Sequence, residues 1–156
     1  MKTIRVLCAA LLFTAWSVSL AAAEWKVGLA RTEITPAGPT WMAGYAARKH
    51  PSEGTVHPLW AKALVVEDQQ GGRAVIVTSD LIGLTREVCD TVGAQVLEKT
   101  GIERERILFN SSHTHCGPVV LGCADIAHHM EAEDVKVAAA YRDQLEEKLV
   151  GLIAAA

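Results

Sequence analysis

The chain of 156 residues is half apolar but only 5% aromatic, and 21% charged with a formal net charge of −3. That balance describes an ordinary soluble α/β composition. It excludes a disordered or fibrous protein, and it lacks the basic excess of a nucleic-acid binder.

Lys2 and Arg5 precede an apolar run from Val6 to Leu20, which gives way to Ala21-Ala22-Ala23 before Glu24. This layout predicts a cleavable secretory signal over residues 1–23, the alternative being an uncleaved N-terminal anchor. The run is shorter than the roughly 20 apolar residues of a membrane span, and no other segment approaches that length. Cleavage removes two basic residues and no acid, leaving 13 basic against 18 acidic residues, a formal charge of −5. Residues 24–156 suffice for one domain with a real core. The expected location is outside the cytoplasm, periplasmic or extracellular.

Residues Trp25 to Ile34 alternate apolar and polar side chains and stop at Thr35-Pro36, which predicts a first strand. From Pro36 to Pro58 the chain holds four prolines with Gly38, Gly44 and Gly54, and reads as an irregular loop of a length often tied to function. Ala61 to Glu67 and Arg73 to Ser79 are β-branched runs around Asp68-Gln69-Gln70-Gly71-Gly72, a hairpin signal. Arg86 to Lys99 predicts a helix, with Thr85 as N-cap, Gly101 past the end and an apolar stripe of Val88, Val92, Val96 and Leu97.

Glu105 to Asn110 is the next expected strand, so strand, helix and strand in succession predict a right-handed crossover and a partly parallel sheet. The fold class is therefore α/β, a mixed sheet with crossover helices. After Pro118 the chain is loop-like to about Met130. Glu133 to Ile153 then reads as a long amphipathic helix carrying Val137, Tyr141, Leu145, Leu149 and Leu152. That helix reaches the final alanine without a cap, which raises the expectation of a longer gene product. Three cysteines follow the signal, Cys89, Cys116 and Cys123, in a compartment that permits disulfides. Cys116 and Cys123 are near enough in sequence to bridge a short loop; the other reading is three thiols.

The chemistry concentrates in Ser111-Ser112-His113-Thr114-His115-Cys116-Gly117-Pro118, where an apolar strand gives way to a Gly-Pro turn. Histidines at i and i+2 share a face if the strand continues, and are splayed if the chain turns. Imidazole suits zinc, but two histidines do not complete a site with three protein ligands and an open position. Alone, the pair fits either a metal or catalytic role or two polar loop residues. Asp80, at a strand end, can orient a histidine or cap the next turn. His57 can face a pocket or serve local structure, and His128 and His129 read as solvated loop residues.

Four stretches in order resemble the neutral/alkaline ceramidase family over nearly all of residues 24–156. They are G-x-A-x-x-x-I-T at Gly28 to Thr35, Met42-Ala43-Gly44-Tyr45 at the family's M-M-G-Y, Thr78-Ser79-Asp80-Leu81 closing a strand, and S-H-T-H-C-G-P at the T-H-T-H-S-G-P signature. The resemblance implies the N-terminal part of a larger catalytic domain and a zinc-dependent hydrolase of linear amides, converting N-acylsphingosine to sphingosine and fatty acid. It implies His113 as a zinc ligand, His115 as a catalytic and substrate-binding residue, and the Gly44 backbone as a further substrate contact. The partner expected is a lipid-like acyl amide, with peripheral contact to a membrane surface open. The family's other zinc ligands, a histidine, a glutamate and a tyrosine, fall downstream of Ala156, so the chain is expected to hold only part of the site. Cys116 replaces the family's serine and adds either a soft ligand or a partner for Cys123. A non-catalytic binding or residual module of the same fold is the competing expectation.

Overall fold

A computed structural model describes residues 24–123 and 130–156; the expected signal and His128 and His129 lie outside them. Four strands form one sheet in the order β1 (Lys26–Glu33), β2 (Trp60–Glu67), β3 (Arg73–Ser79), β4 (Ile107–Ser111). The first three are antiparallel and β4 runs parallel to β3, so the sheet is mixed. Helix α1 (Arg86–Thr100) makes the crossover from β3 to β4, and α2 (Ala132–Ala155) follows β4. No helix among the described residues is long and apolar enough to cross a membrane.

Turn chemistry pins the β2–β3 hairpin. Asp68 Oδ1 accepts the backbone N–H groups of Gln70 (2.9 Å) and Gly72 (2.7 Å), while Gly71 takes a left-handed φ of 80°. Thr85 Oγ1 accepts from Val88 N at 3.1 Å at the start of α1, and Gly101, at φ 74°, returns its N–H to Leu97 O at 2.8 Å at the end.

The register separates the two faces of the sheet. Ala61, Ala63, Val65, Val75, Val77 and Ile107 turn toward the helices and join Val88, Val92, Val96, Leu145 and Leu149 in one buried cluster. On the other face Leu29, Leu64, Ile76 and Leu108 stand in register as a transverse row across all four strands. The outer members of that row are the most open, Leu29 at 75% and Leu108 at 60%.

Three local expectations are corrected. Leu97 is half exposed because the inward stripe of α1 turns through Cys89 and Gly93 and closes on Val96. Val137 is likewise outside, and Ala138 takes the inward place one residue on. Arg104–Arg106 forms a single 3-10 turn rather than the start of β4. Arg106 N–H donates to Glu103 O at 3.0 Å, and Arg104 Nη1 caps Ile107 O at 3.0 Å.

Candidate functional site

Parallel pairing sets β3 and β4 side by side, with Ser79 opposite Ser111, so both chains leave the sheet at the same edge. Open α/β sheets carry their ligand sites beyond the carboxyl ends of such strands. Here Ser79 Oγ and Ser111 Oγ are 2.9 Å apart, and Ser112 N–H extends the ladder to Ser79 O at 3.0 Å. Beyond Ser112 the strand geometry breaks. His113 takes φ 59°, a left-handed conformation that costs an L side chain about 1 to 3 kcal/mol and recurs at functional sites. The histidines therefore occupy a turn, with ring centroids 5.3 Å apart and planes tilted by 60°.

His113 is anchored. Its Nδ1 lies 2.8 Å from the carbonyl of Ile82, on the segment leaving β3. A carbonyl only accepts, so Nδ1 carries a proton, and in the neutral imidazole Nε2 keeps its lone pair. A backbone carbonyl behind one ring nitrogen is the usual support of a histidine that binds metal through the other.

His115 is enclosed by the long loop. Tyr45 meets its ring edge-on at 5.0 Å, and a Cβ built on Gly44 would overlap Cγ, Nδ1 and Cβ of His115, so only glycine fits there. Gly44 and Tyr45 are both left-handed, at φ 73° and 50°. A short antiparallel contact holds the two segments together: Ala43 N–H donates to Gly117 O (2.9 Å), Val119 N–H to Trp41 O (2.8 Å), and Met42 bridges Pro118. Trp41, Ala43, Ile82 and Val119 form a small buried cluster of their own beneath them. Arg48, absent from the sequence expectations, donates to Gly44 O (3.3 Å) and His115 O (2.7 Å). It is 67 positions from His115, and nothing in the local pattern announces the link.

Ser112, Thr114 and Cys116 alternate with the histidines and line a cleft of about 1110 Å³ whose other wall is the loop, His57 included. His113, His115 and Gly44 are not among its lining residues. Asp80 also reaches the cleft, but among the described residues it orients no histidine: its Oδ2 accepts Trp60 N–H at 2.9 Å, closing the open end of β2. The Cys116–Cys123 bridge does not form. Cys116 is exposed at the cleft wall, while Cys123 is partly buried, with its sulfur 2.7 Å from where a Cβ on Gly83 would lie. Burial raises the Cys123 and Cys89 thiols above their ordinary pKa, so both stay protonated and poorly reactive near neutrality.

Two neighbouring imidazoles with one tautomer fixed match the donor chemistry of zinc. Among the described residues no group of three His, Cys, Asp or Glu side chains is placed to hold a metal. The pair fits as a contribution to such a centre, not as a complete one.

Residues 25–130 match the family model described as neutral/alkaline non-lysosomal ceramidase, N-terminal. The neutral ceramidase of Drosophila pseudoobscura pseudoobscura is 34% identical over 104 residues, covering 64% of this chain and 14% of the relative. That of Drosophila melanogaster is 32% identical over 114 residues, covering 70% and 16%. The crystal structure of the Pseudomonas aeruginosa neutral ceramidase superimposes with a TM-score of 0.57 at 30% identity, over 64% of this chain and 16% of that one. A ceramidase complexed with C2 gives 0.67 at 27% identity, over 86% and 21%. The chain thus spans about one seventh of the length of the curated relatives it matches.

Proposed function

Because the chain belongs to the neutral/alkaline non-lysosomal ceramidase family, we propose that it carries the amino-terminal part of an exported, zinc-dependent active site that hydrolyses linear amides of the N-acylsphingosine type. The observation that carries the reading is the His113–His115 turn: two differently anchored imidazoles at the carboxyl ends of a parallel strand pair, closed over by Gly44. His113 would hold the metal through Nε2, and the remaining ligands come from outside the described residues. Zinc, when bound, lowers the pKa of water and polarises a carbonyl.

This chain's own residues supply orientation. Ile82 O fixes the His113 tautomer. His115, pressed between Tyr45 and Gly44, offers a hydrogen bond to the substrate amide or its developing oxyanion. Gly44, with no side chain, lets its backbone N–H approach the same oxygen.

The test uses a form of the protein with a complete ligand set. His113→Ala removes zinc and with it essentially all hydrolysis of a short-chain N-acylsphingosine. His115→Ala keeps zinc and lowers turnover by about 10² to 10³, the worth of one such hydrogen bond. Metal content by elemental analysis, read beside turnover, distinguishes them. Reversed metal losses would exchange the two roles. If neither variant changes metal or rate, the binding-module reading replaces this one.

A further inference from the structure

We propose that Arg48 is the positioning residue of this site, holding the His115 turn against Gly44. Its effect on turnover rests on the hydrolase reading; its effect on geometry does not. One guanidinium spans two segments of the fold. Nε donates to Gly44 O at 3.3 Å, Nη2 to His115 O at 2.7 Å, and Nη1 approaches Met42 Sδ at 3.6 Å. Its Cζ also lies over the Tyr45 ring, 5.2 Å from the centroid, and Tyr45 in turn meets the His115 ring at 5.0 Å. Arg48 therefore touches both groups that enclose His115 and the backbone of His115 itself.

The geometry calls for a guanidinium. Tyr45 on one segment and His113 on the other are non-glycine residues in left-handed conformations, so both segments are held in conformations that relax if released. A planar fork satisfies two carbonyls in fixed directions while its charge sits over an aromatic ring. The compact, flexibly tethered ammonium of lysine does not reproduce that combination.

The experiment compares isotopically labelled wild-type chain with Arg48→Ala and Arg48→Lys by NMR. Nuclear Overhauser contacts between the Tyr45 and His115 rings report the site, and contacts among Val77, Val92 and Leu145 report the core. The expected result is loss of the ring contacts in both variants with the core contacts intact. Retained ring contacts in folded Arg48→Ala overturn the proposal. If Arg48→Ala does not fold, Arg48→Lys decides on the same criterion, and unfolding of both variants assigns Arg48 to general stability and also overturns it. In a zinc-loaded, ligand-complete protein, Arg48→Lys lowers kcat by about 10²-fold, the effect of a misplaced group, and leaves KM unchanged. An inactive wild type would defeat the hydrolase reading alone, because the ring contacts are measured without turnover.

Discussion

Gly44 shows how a single absent methyl shapes the site. It is left-handed, and the space where its Cβ would be is filled by the His115 ring. Gly44→Ala therefore meets both backbone strain and overlap, and is expected to cost about 1 to 3 kcal/mol from the strain alone. A thermal melt reads the loss directly; a variant melting like wild type would mean that the loop carries no such constraint. The family motif pointed to Gly44, His113 and His115, because glycine and paired histidines stand out in a linear pattern. Arg48 and the carbonyl of Ile82 were illegible, since both act on residues distant in sequence through geometry that only the folded chain creates. Asp80 stayed open for the same reason: a carboxylate at a strand end is equally suited to a histidine and to a backbone N–H, and Trp60 N–H is the group it meets.

At the scale of elements, α2 is tied to the sheet by Tyr141, whose hydroxyl donates to Ile34 O at 2.8 Å within the core. Burial pushes the phenol well above its ordinary pKa, so it remains a donor throughout the neutral range. Tyr141→Phe leaves the Ile34 carbonyl buried without this partner and should lose about 1 to 3 kcal/mol in denaturant unfolding. The pH dependence follows from the direction of the shift. The folded pKa exceeds the unfolded one, so the contribution is complete below about pH 10 and is lost as pH rises toward the folded value. The wild type should therefore destabilise more than Tyr141→Phe in alkali, and parallel profiles would contradict the assignment. Strands, the hairpin and both helices were legible because period-2 and period-3.6 patterns are local. Leu97, Val137 and the turn at Arg104–Arg106 were not, because which flank of a helix turns inward, and where a strand begins, depend on the neighbours packed against it.

For the whole molecule, the sheet has one face under two helices and one carrying the row Leu29, Leu64, Ile76 and Leu108. Continuous apolar surface of this kind binds hydrophobic dyes and favours association. Leu29→Lys with Leu108→Lys charges both edge strands at exposed positions. The pair should alter stability by no more than about 0.5 kcal/mol per site while lowering dye fluorescence. A large fall in melting temperature would show instead that the row is packed. The parallel arrangement of β3 and β4 also sets an order in time. The β2–β3 hairpin closes through neighbours in sequence, within roughly 1 to 10 μs. The histidine turn must wait for α1 and β4, and 36 residues separate Ser79 from His115. At about 5 to 20 residues per second of synthesis, that interval is roughly 2 to 7 seconds. The strands of the hairpin are therefore synthesised seconds before His115, the residue that Gly44 and Arg48 meet across the site.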